Sequence, residues 1–329
     1  MKRKLPAVVA VVTALAVAFG CSPSSSESDS ITVAIARFES VGLVYVAQDQ
    51  GMFADNGLQV TLREYDTGVA ALEAVLAGEA DVAAGTAEFP LVGQAFGGTP
   101  VSAIATIDRP EFIYLVGRKD REIEEPSDLK GKRVGSVAGS IAQFYLGRFL
   151  ELHNMATEDV TFVDLRTPDE WRAAITNGDV DAVVLAQPEA SVVGKSLADN
   201  ATFLSVQASQ PAYTLAICTN AWAANNQESA SGFLAALSDA EAFVGENPAQ
   251  ARAILQEQLG LDSAYMDLVW TQNTFALSLD QSLILAMEDE ARWMIRNKIT
   301  TETAMPDLGA YVDVAPLNAV KPGVVSILR

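Results

Sequence analysis

The apolar positions of the chain from residue 31 onward follow the two spacings that are typical of strands and helices. Residues 31–36, ITVAIA, are a short apolar run, and residues 58–65, LQVTLREY, alternate apolar and polar side chains. Residues 66–78, DTGVAALEAVLAG, instead place apolar side chains every three or four positions. These patterns predict two strands and a helix. Because strands and helices continue to alternate, we expect an α/β fold with a parallel sheet and helices on its faces.

The same order of elements then occurs a second time. Residues 132–138, KRVGSVA, predict a strand, and residues 168–178, PDEWRAAITNG, predict a helix. A Gly-acid-x-Asp phrase marks the repeat, since it reads GEAD at residues 78–81 and GDVD at residues 178–181. A register that is kept over this distance predicts two similar α/β lobes.

The repeat also predicts how the chain is divided. We expect lobe 1 to comprise residues 31–113 and 216–329, and lobe 2 to comprise residues 114–215. The section after Thr219 has helical spacing and is expected to pack on lobe 1. Ligands of open α/β sheets bind outside the carboxyl ends of the strands, so two lobes that face each other there would form a ligand cleft. The first crossover between the lobes, near residues 108–120, and the second, near residues 208–220, would then act as a hinge.

Residues 1–30 predict export rather than a part of the fold. The basic segment MKRK precedes the apolar segment LPAVVAVVTALAVAFG, which suits a signal peptide over residues 1–20 and is short for a membrane span of about 20 residues. Cys21 follows Gly20 in a pattern that resembles a bacterial lipoprotein box. We therefore expect lipidation of Cys21 and a flexible tether over residues 21–30. An ordinary secretory signal cleaved nearby and an uncleaved anchor are the alternatives.

Charge and composition narrow the classes of function. The formal net charge of −20 argues against nucleic acid as a partner, because phosphate binding needs a basic surface. The chain has two cysteines, Cys21 and Cys218, and one histidine, His153. The sequence contains no P-loop, HExxH motif or CxxC pair. We therefore expect a monomeric, non-enzymatic protein that uses neither a cofactor nor a metal.

Four segments together resemble the type II periplasmic solute-binding proteins: VAQDQGMFADNGLQVTLREYDTG, LAGEADVAAG, PSDLKGKRVGSVAGS and ITNGDVDAVVL. The most similar branch serves importers of nitrate, sulfonates, taurine and pyrimidine precursors of thiamine. The resemblance covers about residues 31–300. It implies an extracytoplasmic protein that captures a small molecule and delivers it to an ABC permease and its ATPase. The lipid on Cys21 would hold such a protein at a bacterial membrane.

The predicted ligand contacts lie at strand ends and at helix starts. Free N–H groups and the positive end of the helix dipole make a helix start favourable for anions. The predicted ligand-binding residues are Arg37, Phe38, Glu39, Thr67, Gly68, Thr86, Glu88, Ser140, Gln143, Gln187, Glu189 and Tyr213. Helix capping is the alternative role of Thr67, and complementing a helix dipole is that of Glu88 and Glu189.

This set contains groups for both signs of charge. The helix starts and Arg37 suit a sulfonate or a nitrate ion. The carboxylates Glu39, Glu88 and Glu189 would repel an anion in a cleft without water. Carboxylates beside aromatic rings suit an amine, a zwitterion such as taurine, or an aminopyrimidine, so we favour a nitrogen-containing or zwitterionic solute. Two other functions stay open: an enzyme like the pyrimidine-precursor synthases of the same fold, and a ligand-sensing module for a membrane signalling partner.

Overall fold

The computed structural model describes residue 1, residues 29–208 and residues 210–328. The predicted signal peptide after Met1, Cys21, and residues 21–28 of the predicted tether lie outside the described residues. Within the described ranges, none of the helices has the length and apolar content that a membrane crossing requires.

Strands and helices alternate along most of the chain, as the apolar pattern predicts. The strands are β1 (Asp29–Ala36), β2 (Leu58–Tyr65), β3 (Val82–Ala87), β4 (Val101–Asp108), β5 (Ile113–Arg118), β6 (Arg133–Ser136), β7 (Thr161–Asp164), β8 (Ala182–Ala186), β9 (Ala201–Ser205), β10 (Thr214–Thr219), β11 (Phe275–Asp280) and β12 (Val325–Ser326). The helices are α1 (Gly42–Asp49), α2 (Met52–Asp55), α3 (Gly68–Leu76), α4 (Glu88–Phe96), α5 (Ile141–Leu152), α6 (Pro168–Asn177), α7 (Glu189–Leu197), α8 (Asn220–Asn225), α9 (Gln227–Glu246), α10 (Pro248–Leu259), α11 (Ser263–Trp270), α12 (Gln281–Arg296) and α13 (Ala315–Val320).

The described strands of lobe 1 form a seven-stranded sheet in the order β12-β11-β4-β10-β3-β1-β2. β1 is parallel to β2 and β3, whereas β10 is antiparallel to β3 and β4. Every residue of β4 is buried, as expected for a central strand that is covered on both faces. The carboxyl ends of β1, β3 and β4 therefore meet at one edge of the sheet, and this edge faces lobe 2.

The described strands of lobe 2 form a five-stranded sheet in the order β7-β6-β8-β5-β9. This order corresponds to β2, β1, β3, β10 and β4 of lobe 1. In each sheet the fourth strand of this order is antiparallel to the third and comes directly after a crossover between the lobes. This strand is β5 in lobe 2, after the first crossover, and β10 in lobe 1, after the second. The prediction of two similar α/β lobes is thereby confirmed.

The repeated phrase has the same structural role in both lobes. The Asp81 carboxylate accepts a hydrogen bond from the Thr32 N–H at 2.7 Å, which ties the start of β3 to β1. The Asp181 carboxylate accepts one from the Arg133 N–H at 2.8 Å, which ties the start of β8 to β6. The glycine of each phrase has a positive φ, 75° and 80°, a conformation that glycine tolerates without strain. The phrase therefore ends a helix and begins a strand.

The section after β10 is mainly helical and packs on lobe 1, as predicted. α9 lies against α1 and α13, and α12 lies against α4. This section also adds β11 and β12 to the sheet, which the sequence analysis did not predict. β11 pairs antiparallel with β4, and Phe275 lies opposite Asp108 on the neighbouring strand.

An aromatic contact joins the two lobes. Trp293 of α12 packs against Phe89 of α4 and Phe144 of α5, with ring centroids 5.9 and 5.5 Å apart. Gly147 of α5 allows this approach, because a Cβ there would lie 2.1 Å from the Trp293 ring. The lobes are thus in contact through α5 and α12 as well as through the crossovers.

Candidate functional site

A cavity of about 80 Å³ lies between the lobes. A single water molecule needs about 10–15 Å³ by this measure, so the cavity has room for a small solute. Five of the predicted ligand-binding residues line it: Phe38, Thr67, Gly68, Ser140 and Glu189. The sequence analysis missed other residues of the wall, among them Ser40, Ser136, Trp171 and Thr214. We refer to this space as the interlobe cavity.

Two helix starts, one from each lobe, point at the interlobe cavity. Thr67 caps α3 by accepting the Ala70 N–H at 3.1 Å, and Ser140 immediately precedes α5. Gly68 lies so close to β3 that a Cβ would meet the Gly85 carbonyl oxygen at 2.5 Å. Glycine therefore lets the positive end of α3 reach the cavity, where it favours an anionic group.

Aromatic rings form the apolar part of the wall. Phe38 follows β1, and Phe112 lies in the first crossover; their rings meet edge to face at 6.2 Å. Trp171 of α6 is buried and donates its ring N–H to the Leu165 carbonyl at 2.6 Å. The Trp171 ring packs in the core of lobe 2 and is also part of the cavity wall.

Glu189 lines the interlobe cavity but is not a free carboxylate. It forms an ion pair with Arg172 of α6, with an N–O distance of 3.2 Å. The Nε atom of Arg172 is buried and has no hydrogen-bond partner among the described residues. Glu189 therefore lines the cavity already paired with a positive charge, while Arg172 itself is not among the lining residues.

Four predicted residues instead stabilise local structure outside the cavity lining. Arg37 is half exposed and lies 3.7 Å from Glu64. The side chains of Thr86, Gln143 and Gln187 each form a hydrogen bond with a backbone group. Thr86 donates to the Gly68 carbonyl. Gln143 accepts a hydrogen bond from the Gly139 N–H, and Gln187 accepts one from the Ser191 N–H.

Glu88 and Tyr213 meet beneath the cleft, at the second crossover. Glu88 is the first residue of α4, is buried, and accepts the Tyr213 N–H at 3.0 Å. Burial raises the pKa of Glu88 to about 7. The Tyr213 hydroxyl donates to Ser282, and its ring lies 5.2 Å from the Arg109 guanidinium. These two predicted residues lie outside the lining of the cavity.

Glu39 and Asp108 lie at the same edge of lobe 1. Glu39 accepts a hydrogen bond from the Tyr265 hydroxyl, and burial raises the pKa of its carboxyl group. Asp108 ends β4, and burial raises its pKa well above the ordinary value. The sequence analysis missed Asp108, although an acid at the end of an apolar strand, VSAIATID, was a visible signal.

The cysteine and histidine of the described chain are remote from the cavity lining. Cys218 is buried in β10, and burial raises the pKa of its thiol to about 12. His153 ends α5 and its ring nitrogen lies 2.7 Å from the Phe149 carbonyl oxygen. Neither residue can reach a molecule in the cavity.

A sequence model of proteins described as NMT1/THI5 like matches residues 39–251, which span both lobes and the cavity. The chain belongs to the NMT1/THI5-like family. The proteins to which the chain is similar include binding proteins and an enzyme. A candidate binding protein of Brucella abortus is 26% identical over 77% of this chain and 80% of its own length.

Two further relatives of this NMT1/THI5-like chain are named for a ligand or a reaction. A candidate aliphatic sulfonates-binding protein of Escherichia coli is 26% identical over 62% of this chain and 65% of its own. A 4-amino-5-hydroxymethyl-2-methylpyrimidine phosphate synthase of Uromyces fabae is 30% identical over 42% of this chain and 40% of its own. The binding proteins thus align over more of the chain than the synthase does.

A solved structure shows the same fold. The alkanesulfonate-binding protein SsuA of Xanthomonas axonopodis pv. citri, bound to MOPS, has a TM-score of 0.76 and 19% identity, over 88% of this chain and 99% of its own. This NMT1/THI5-like chain therefore has the fold of the periplasmic binding proteins, and the resemblance inferred from the sequence is confirmed.

Proposed function

We propose that this protein is the extracytoplasmic solute-binding component of an ABC importer, held to a bacterial membrane by a lipid on Cys21. The observation that carries the proposal is a cavity whose wall is shared by both lobes, with Phe38 and Thr67 on one side and Ser140 and Glu189 on the other. Two crossovers connect the lobes, so such a cavity can open and close by a hinge movement. The binding-protein relatives support the same role.

The proposed solute is a small organic molecule that contains nitrogen or is zwitterionic. The helix starts of α3 and α5 suit an anionic group. The names of the sulfonate-binding relative and of the Xanthomonas protein support this half of the solute. Glu189 and the buried carboxyl groups of lobe 1 suit a cationic group, and the Phe38 and Phe112 rings suit the apolar part between them.

Capture needs no covalent step. A solute that contacts both lobes binds the closed arrangement more tightly than the open one, so it shifts the population towards closure by the difference in affinity. The permease would then recognise the closed surface, and release would follow opening. Ligand sensing for a membrane partner would use the same closure, but with a signalling protein in place of a permease.

A thermal-shift screen of residues 30–329 tests the proposal. Sulfonates, amines, amino acids, nitrate and pyrimidines are added separately, and a solute that binds the native state raises Tm by mass action. We expect a nitrogen-containing or zwitterionic solute to raise Tm and to be recovered unchanged, as checked by mass spectrometry. Chemical conversion of that solute would contradict the proposal and favour an enzyme.

A further inference from the structure

A group of buried polar side chains lies beside the interlobe cavity, where β1 and β4 end. Glu39 sits in a short helical turn after β1 that packs over the end of β4, and Asp108 is the last residue of that strand. Glu39 is 1% exposed and Asp108 is 0% exposed. The segment with Gln272 and Asn273 pairs with residues 109–111 next to them, through the Glu111 N–H to the Gln272 carbonyl at 2.8 Å. We call Glu39, Asp108, Gln272 and Asn273 the acceptor cluster.

Five of the six side-chain oxygens of the acceptor cluster make no well-formed hydrogen bond with the described residues. Tyr265 donates to one oxygen of Glu39, but the other oxygen, Oε2, is buried with no partner among the described residues. The backbone N–H groups of Arg109 and Thr274 lie near enough to Asp108 to lower the pKa of its carboxyl group, yet both of its oxygens are buried without a well-formed hydrogen bond. So are the amide oxygens of Gln272 and Asn273, whose NH₂ groups donate elsewhere, to Tyr114 and to Val269. Buried acceptors are normally satisfied, so this set points to a missing partner that donates hydrogen bonds.

The acceptor cluster also lacks a positive charge. Within residues 29–208 and 210–328, no ion pair involves Glu39 or Asp108, because the nearest arginines in sequence pair elsewhere: Arg37 with Glu64 and Arg109 with Asp280. Burial, and then the charge of Glu39, raise the pKa of Asp108, so the two carboxyl groups are near enough to repel each other. Burial raises the pKa of both groups, so it favours their neutral form in the ligand-free protein, and they would ionise on meeting a positive charge. Burying such acids costs stability, so their presence is better explained by binding than by stability.

Groups from lobe 2 connect the acceptor cluster to the interlobe cavity. The Tyr114 hydroxyl, on β5, accepts a hydrogen bond from Gln272 at 2.5 Å. Glu189, which lines the cavity, is among the charges that raise the pKa of Tyr265, after burial and Glu39. No residue of the cluster lines the cavity itself, but Ser40, next to Glu39, and Thr214, paired with Asp108, do line it. The cluster therefore lies directly behind the cavity wall, at the junction of the lobes.

We propose that Glu39 and Asp108 form a subsite for a protonated amine or amidine group of the captured solute, with the Gln272 and Asn273 oxygens accepting its remaining N–H groups. This inference rests on the proposed function and specifies its solute class. A protonated amine supplies both features that the cluster lacks, several donors and a positive charge. A simple sulfonate or nitrate supplies neither, so a free anion cannot fill the subsite.

The test compares matched solutes on the full-length protein by isothermal titration calorimetry. Taurine and ethanesulfonate differ only in the amine, and propylamine carries the amine without an anion. We expect taurine and propylamine to bind more tightly than ethanesulfonate. Asp108→Asn should weaken binding of the two amines by about tenfold or more and change ethanesulfonate binding less than about twofold. Glu257→Gln, the same charge change at an exposed position of α10, should leave all three affinities unchanged.

Three results would overturn the subsite while leaving the proposed function in place. The first is equal affinity of the wild-type protein for taurine and ethanesulfonate. The second is an equal loss of both affinities in Asp108→Asn. The third is stabilisation by calcium chloride that is lost in Asp108→Asn without any response to amines, which would show a metal site. Glu39→Gln repeats each comparison if Asp108→Asn does not fold.

A measurement without ligand separates failure of the subsite from failure of the proposed function. Asparagine removes an acid whose ionised form is disfavoured by burial and offers an NH₂ donor to the acceptor cluster, so Asp108→Asn should raise the Tm of the ligand-free protein. A lower Tm would show that Asp108 stabilises the fold and would overturn the subsite, whatever the solutes do. If no solute in the broader screen stabilises the wild-type protein, the proposed function itself is overturned.

Discussion

At the scale of a single residue, the Glu88 carboxyl group shows how burial changes the chemistry of an acid. Glu88 begins α4 beneath the cleft, and burial raises its pKa to about 7. Glu290 of α12 lies beside it, and burial together with the charge of Glu88 raises the Glu290 pKa as well. The Tyr145 and Tyr213 side chains also face this pair. Two carboxyl groups in one buried site share a proton more readily than they both ionise.

We predict that Glu88 makes the protein more stable in mild acid. The folded chain holds the Glu88 proton more tightly than the unfolded chain, whose ordinary pKa is 4.5, so this contribution is full below about pH 4.5 and is lost as the pH rises through about 7. The free energy of unfolding should fall over this range, by up to about 3 kcal/mol from this residue. Urea unfolding at a series of pH values measures the fall, and Glu88→Gln should flatten it because glutamine cannot ionise.

The matched control is again Glu257→Gln, which removes a carboxyl group from the exposed face of α10. Its unfolding free energy should follow the wild-type pH dependence. Equal slopes for Glu88→Gln and the wild-type protein would mean that Glu88 stays ionised throughout, and would contradict the prediction.

At the scale of elements, the strand-start aspartates fix how each sheet is assembled. The Asp81 carboxylate holds the Thr32 N–H at 2.7 Å, while the Asp81 N–H donates to the Thr32 carbonyl at 2.8 Å. Asp81→Ala removes one of these two bonds and leaves a partly buried N–H without an acceptor. We predict a loss of about 1–2 kcal/mol in the free energy of unfolding, measured by urea denaturation.

Asp81→Asn separates the hydrogen bond from the charge, because asparagine keeps an oxygen acceptor at the same place. It should cost less than Asp81→Ala. If both variants lose the same stability, the negative charge rather than the hydrogen bond accounts for the role of the repeated phrase.

Most of the elements could be predicted from the apolar pattern, and the exceptions have a physical cause. A strand such as β4 is a mainly apolar segment, VSAIATID, with all its residues buried, so its pattern is clear. β11 is no shorter than β3 or β5, but it is only half-buried and lies in a section with helical spacing, so its pattern is less clear. Its partner, β4, is far away in the chain, so the pairing of Phe275 with Asp108 depends on tertiary structure that local spacing does not encode.

The candidate site was predictable by segment but not by side-chain direction. Glu88 and Glu189 occupy equivalent places, each as the first residue of a helix after a repeated strand. Glu189 lines the cavity, whereas Glu88 turns to the Tyr213 N–H and to Glu290 of α12. The C-terminal helices cover lobe 1. The Glu88 carboxyl group therefore meets partners, such as Glu290 of α12, that the repeat alone does not predict.

At the scale of the whole molecule, two ion pairs join the lobes outside the lining of the interlobe cavity. Arg166 of lobe 2 lies 3.3 Å from Glu73 of α3, and Lys195 of α7 lies 3.7 Å from Asp262. All four side chains are more than half exposed, so each pair contributes at most about 1 kcal/mol and is screened by salt. Because these contacts exist only when the lobes are together, they stabilise closure rather than the fold of either lobe.

We therefore predict that Arg166→Glu weakens solute binding without changing the free energy of unfolding. The variant places a second carboxylate opposite Glu73, which raises the cost of closure, and an effect of about 1 kcal/mol corresponds to about fivefold in affinity. Calorimetry at low salt with the solute that gives the largest thermal shift measures the loss. Combining Arg166→Glu with Glu73→Arg reverses the pair and should restore the affinity. Unchanged affinity in the single variant, or no recovery in the double variant, would mean that closure does not depend on this contact.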